Sequence, residues 1–251
     1  MSSFFLGVVC AAIFLVALPV ELPAQDDPMP RQEKGKKGKG GKSDGAKGPR
    51  INKPRIEETI RLNVYADNWF KLYINGNLVA VDSISFIPHN VVSVEVLPQY
   101  PMTIAVMAKD NADPETGLEY DNTNVGDGGF ILKFADGTVT NSTWKARSFF
   151  QGPMNRDLQN PRTEHQPIPA DWFEVDFDDH QWDHATEHSE NEVKPKSPYY
   201  ENDFEGAKWI WTENLALDNT VIFRTRIERP PNGAPLPPPD WPRGHIDASN
   251  R

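Results

Sequence analysis

From Thr59 onward the chain places apolar and polar residues alternately in short runs broken by turn-forming dipeptides, and no segment sustains the 3.6-residue period of a helix. Ile60, Leu62 and Val64 alternate with polar neighbours. Phe70, Leu72 and Ile74 repeat the pattern up to Asn75-Gly76, a dipeptide that favours a tight hairpin turn. Residues 91–97 and 102–108 read as two more strands separated by a turn at Pro98 and Pro101. Residues 130–134 and 138–140 flank Asp136-Gly137 as another hairpin, and late strands are expected at 208–212 and 220–227. Many short strands with frequent turns predict an all-β protein, an antiparallel jelly-roll-like β-sandwich over residues 56–229.

Cys10 is the single cysteine and sits inside an N-terminal apolar run, so no disulfide can staple this sandwich. Packing must hold it, and a domain of this size can bury about 70% of the surface of its unfolded chain without staples. Residues 1–25 read as a signal peptide, with an apolar stretch at 4–18 and a cleavage region at Leu22-Pro-Ala-Gln25. The apolar stretch is shorter than the roughly 20 residues of a spanning helix. A secreted, periplasmic or cell-surface protein is therefore expected, with no stable membrane insertion after the signal is removed.

Charge divides sharply along the chain. Residues 31–55 carry ten Lys/Arg against Glu33 and Asp44, a net of +8, whereas everything from residue 56 onward carries −15. The Gly/Lys-rich linker, 26–55, has no apolar nucleus and is expected to stay a flexible coil. It reads either as a spacer or as a contact to an anionic surface. No aromatic residue is interleaved with its lysines to stack on bases, so nucleic acid is not an expected partner. The tail, 230–251, is proline-rich and expected to be extended.

Asp171-Trp-Phe-Glu-Val-Asp-Phe-Asp-Asp-His-Gln-Trp182, then Gly206-Ala-Lys-Trp-Ile-Trp211, then Asn219-Thr-Val-Ile-Phe-Arg-Thr-Arg-Ile227 follow one another in the C-terminal third. This order resembles the galactose-binding-like β-sandwich modules appended to bacterial α-L-rhamnosidases and related glycosidases. Asp67-Asn-Trp-Phe-Lys-Leu-Tyr-Ile-Asn-Gly76 is similar to a hairpin of the same modules. The resemblance implies a binding or accessory module, with Trp182, Trp209 and Trp211 in or near the core and Asp178 and Asp179 capping the turn before Trp182. His180 stands where these modules usually have Ser, and no helical catalytic domain follows Arg229.

The loop 110–129 is the richest in oxygen ligands, and Asp and Asn side chains with glycine-freed carbonyls suit a hard cation such as Ca²⁺. Asp110, Asp113, Asp121 and Asp127 are its candidate ligands, and the modules it resembles often hold a structural Ca²⁺. The competing account is a turn whose side chains bond their own backbone. His180, His184 and His188 recur every four residues, yet the local sequence argues against the helix that would align them, and solvated side chains are expected. Sugar binding calls for exposed aromatic faces and amides; Trp69, Asn75, Tyr120, Tyr199 and Tyr200 are the candidates. No nucleophile elbow, zinc-protease helix or phosphate loop occurs. The leading expectation is noncatalytic carbohydrate binding. The alternatives are an adhesive envelope or matrix protein and an accessory part of a glycoside hydrolase.

Overall fold

The computed structural model describes residues 56–82 and 90–233. The expected signal peptide, the basic linker and the tail beyond Gly233 lie outside the described residues. β1 (Ile60–Asp67) leads through Asn68 into β2 (Trp69–Ile74), and the Asn75-Gly76 turn returns as β3 (Asn77–Val81). Both turn residues have positive φ, +48° and +77°, which is why Asn-Gly serves here. β4 (Val91–Val96) and β5 (Met102–Lys109) follow, then a small hairpin of β6 (Leu118–Glu119) and β7 (Asn124–Val125). β8 (Gly129–Phe134), β9 (Lys145–Gln151), β10 (Glu164–His165), β11 (Asp183–His184) and β12 (Thr186–His188) come next. Two single-turn helices, α1 (Glu190–Val193) and α2 (Ser197–Tyr200), precede β13 (Trp209–Trp211) and the long β14 (Asp218–Ile227).

These strands form a sandwich of two antiparallel sheets. The smaller sheet runs β12-β13-β8-β1-β4; the larger runs β10-β9-β14-β5-β2-β3, with β11 also paired to β9. Strands at 91–97, 102–108, 208–212 and 220–227 were thus readable from alternation to within a residue or two. β9 was not, because Phe149 and Phe150 are adjacent and blur its period. Residues 138–140 make an isolated bridge between Lys133 and Val139 in place of a strand. Thr140 instead gives its hydroxyl to the Lys208 carbonyl at 2.7 Å.

Inner faces follow the two-residue period. Leu62, Val64 and Ala66 with Phe130, Leu132 and Phe134 meet Phe70, Leu72, Ile74, Met102, Ile104, Val106, Val221 and Phe223 in one core. Each large apolar side chain buried there contributes about 1.5–3 kcal/mol relative to exposure. The outer faces are covered as well. On the smaller sheet, Tyr65 and Ile131 pack with Val193, Phe204 and Trp209, which explains why six successive residues at the end of β1 are buried. On the larger sheet, Ala105, Phe149 and Ile222 lie under Trp172 and Trp182 of the irregular segment 166–182.

Arg224, projecting from β14 and buried, ties that segment down. Its Nε donates to Asp179 Oδ2 at 2.8 Å, one terminal nitrogen donates to the Trp172 carbonyl and the other to the Glu174 carbonyl at 2.9 Å. Its guanidinium also lies 5.0 Å from the Phe177 ring centre. Asp178 accepts from the His180 backbone N–H at 3.0 Å, the capping role expected of it, while Asp179 serves Arg224 instead. Trp182, Trp209 and Trp211 are all buried. Replacing a buried, multiply bonded charge leaves its partners unsatisfied. Arg224→Ala should therefore lower unfolding free energy by about 3 kcal/mol in urea titration and open the 166–182 segment to limited proteolysis; a shift under about 0.5 kcal/mol, the range of ordinary surface substitutions, would refute this role.

Candidate functional site

One end of the sandwich gathers carboxylates, and among the described residues Asp110, Glu119 and Asp127 make no ion pair with a lysine or arginine. β5 ends at Lys109 and delivers Asp110; the β6–β7 hairpin swings Glu119 inward behind the buried Leu118; the turn before β8 supplies Asp127. Side-chain oxygens of Asp110, Glu119 and Asp127 all lie within 4.8 Å of one another. Asp110 is 5% exposed and Glu119 3%. Asp67, at the end of β1, adds a third buried carboxylate beside Asp110 and Glu119 and accepts from Asn68 Nδ2 at 2.7 Å. The Asp67–Asn68 peptide is cis.

Two buried oxygens in this end lack any hydrogen-bond donor: Asp110 Oδ2 and Asn219 Oδ1. Asp110 uses its other oxygen to accept from the Asn111 backbone at 2.7 Å, and Asn219 uses its amide nitrogen to reach the Gly152 carbonyl at 2.9 Å. Both orphaned oxygens face Gly126, where a Cβ would fall 1.8 Å from Asp110 Oδ2 and 3.2 Å from Asn219 Oδ1. Glycine is therefore required there, because any side chain would collide with the Asp110 carboxylate. Burial, together with the charges of Asp127 and Glu119, pushes the Asp67 carboxyl up to about 8. Burial and the close carboxylate of Glu119 raise Asp110 well above the ordinary carboxylate range.

Oxygen donors, anionic and crowded, with an unsatisfied carboxylate and an unsatisfied amide carbonyl, fit a hard cation of the Ca²⁺ type. Asp110 and Asp127 thus meet, as the sequence suggested. Asp113 is instead the first residue of a turn, its Oδ1 accepting from Glu115 and Thr116 at 2.9 and 3.0 Å. Asp121 is exposed in the left-handed β6–β7 turn. Asp67, Glu119 and Asn219 escaped sequence reading because they arrive from three distant segments, and only the buried setting of a polar residue at each strand end marks them.

Beside the cluster, and sharing Asn68 and Asp110 with it, is a cleft of about 550 Å³ on the outer face of the larger sheet, between Trp69, Phe149, Phe150, His165 and Ile168. Its floor is the sheet end where β2 and β14 begin and β5 and β9 finish. His165 is stacked on Phe150 at 4.3 Å and holds the Pro114 carbonyl at 2.9 Å through Nε2. Asn111 and Gln166 line it with amides. Of the five aromatic and amide candidates, Trp69 alone reaches this cleft.

Asn75 sits at the other end of β2, its side chain engaged with Thr103 N–H and the Gln99 carbonyl. Tyr120 is exposed on the β6–β7 turn, its phenol raised by burial and by Glu119. Tyr199 and Tyr200 belong to α2: Tyr199 packs on Phe204 and Trp209, its hydroxyl pushed up to about 12 by burial, while Tyr200 is exposed. The three histidines are dispersed. His180 and His184 are exposed, whereas His188 has a buried ring that holds the Thr212 carbonyl at 2.9 Å, unlike the solvated side chain expected.

No family model matches this chain, and no curated protein or solved structure is significantly similar to it. No helix among the described residues is long and apolar enough to cross a membrane.

The raised Asp67 carboxyl sets a pH dependence. The folded protein keeps a proton that the unfolded chain, with a carboxyl near 3.8, releases. Its contribution to stability is full below about pH 4 and is lost as pH rises through about 8. In excess chelator the melting temperature should fall over that window, and Asp67→Asn should flatten the fall; an identical profile for the variant in calorimetry would refute it.

Proposed function

We propose that this chain is an exported, noncatalytic carbohydrate-binding module of the galactose-binding-like kind, with a structural Ca²⁺ held at the end of the sandwich that bears the cleft. The observation that carries the cation is the convergence of Asp110 Oδ2 and Asn219 Oδ1, buried and without donors, beside Gly126. Burying several carboxylates without a positive partner is costly, and a divalent cation removes that cost. Asp110, Glu119, Asp127 and the Asn219 carbonyl oxygen would hold it. The cation would neutralise the cluster and secure the 110–129 loop that forms one wall of the cleft.

A pyranose face would lie against Trp69, while the Asn111 and Gln166 amides meet its hydroxyls. Glycoside hydrolysis by the usual route needs two carboxyl groups flanking the bond. Asp110 is the one carboxylate among the residues lining this cleft, which favours binding without cleavage. Export is proposed from the apolar run at 4–18.

Adding Ca²⁺ at about 100 times its dissociation constant to chelator-treated full-length protein should raise the melting temperature by about 5–10 °C. Gly126→Ala should abolish that rise; an unchanged transition in the native protein removes the cation. On a glycan array, Trp69→Ala should weaken any hit by about tenfold or more, the scale of a lost aromatic platform. Silence across the array would overturn carbohydrate binding. Surface association lost on deleting 31–55, and kept in Trp69→Ala, would favour the adhesive alternative.

A further inference from the structure

Two lysines stand at the Trp69 end of the cleft in this acidic body, Lys109 in its lining and Lys71 beside it. Trp69 and Lys109 are paired across β2 and β5, and Lys71 lies two residues along β2 on the same outer face. Lys71 Nζ stands 5.5 Å from the centre of the Trp69 ring. Among the described residues neither Lys71 nor Lys109 makes an ion pair, although the body around them carries −15. Arg147 approaches from β9, donating to the Gln166 side-chain carbonyl at 3.1 Å. The one carboxylate of the lining, Asp110, is buried and turned toward the cation cluster.

Resting on the carbohydrate-binding reading above, we infer that the saccharide taken by this cleft is anionic, with its acidic group held between the ammonium groups of Lys71 and Lys109 while a neighbouring ring face packs on Trp69. The physical argument is local. An acidic surface repels anions generally, and within a Debye length of about 8 Å an unpaired pair of ammonium groups beside a low-dielectric indole is the place where an anion is attracted. Neutralised by a divalent cation, the carboxylates behind Asp110 would not oppose it. Lysine, a compact charge with three donors on a flexible stem, suits a carboxylate or a sulfate ester equally. The shared chemistry is therefore an acidic substituent on a sugar ring, and the two kinds are separated by experiment.

The test uses calorimetric titration of the full chain at fixed free Ca²⁺ with four probes: a galacturonate trisaccharide, its carboxyl-reduced counterpart, a sulfated galactan oligosaccharide and its desulfated form. At least one acidic probe should bind about tenfold more tightly than its neutral counterpart, the scale of charge-assisted hydrogen bonds. Raising salt from about 0.05 to 0.5 M should reduce that preference. The Lys71→Gln/Lys109→Gln double variant, with both changes on the sheet's outer face, should reduce it to within about twofold. A preference for the uronate or for the sulfate ester identifies the substituent. Equal affinity for acidic and neutral probes overturns the anionic preference and leaves carbohydrate binding standing. A preference that persists in the double variant also overturns it. Failure of all four probes, with a silent glycan array, overturns both.

Discussion

Phe130 stacked on Phe223 at 5.2 Å is the contact on which the rest of the molecule depends, because it locks β8 of one sheet against β14 of the other. Trp144 meets Phe130 edge-on and Trp211 leans on Phe223, so four aromatic rings cross the interior as one unit. Trp211 also donates its indole N–H to the Asp218 carbonyl at 2.8 Å, fixing the first residue of β14. The next residue is Asn219, and Gly126 and Asp127 lie in the turn that leads into β8. A chain whose one cysteine lies at position 10 has no disulfide with which to set this registration, and rigid aromatic packing sets it instead.

From that registration the electrostatic tension at one end follows. β1, β5, β14 and the turn before β8 all finish or begin there, and each brings an acid or an amide: Asp67, Asp110, Asn219 and Asp127. Burial makes the charges of Asp67 and Asp110 more costly than they would be at the surface. The core is covered on its outer faces by the 166–182 segment and by the helical region. Arg224 shows the complementary solution on the larger sheet, where a buried charge is fully engaged by a carboxylate and two carbonyls. A polar group satisfied in that way makes a clamp, whereas the unsatisfied oxygens beside Gly126 are the ones we propose a cation engages.

Local alternation made most strands legible, since a half-buried pleat writes a two-residue period into the sequence. It failed at β9, where paired phenylalanines serve both faces, and it overstated the polarity of β1, whose outer side is covered by Trp209 and its neighbours. The loop 110–129 was legible as rich in oxygen ligands, and two of its four chosen aspartates do converge. Asp113 was indistinguishable from them in sequence because a turn-forming aspartate and a metal-binding one have the same chemistry. Trp69 could be placed at a strand start, while nothing local said that Phe150 and His165 would close a cleft around it.

What the sequence by itself determined was the all-β class, the hairpin at Asn75-Gly76, and the separation of a basic linker from an acidic body. These depend on periodicity, turn chemistry and composition, all properties of neighbouring residues. Only the tertiary structure decided that Glu119 turns inward, that the Asn219 side-chain oxygen is left without a donor beside Asp110, and that Lys71 and Lys109 stand beside Trp69 with no ion pair among the described residues. Those outcomes depend on where strands far apart in the chain come to an end together, and packing across the two sheets, rather than any local pattern, determines that place.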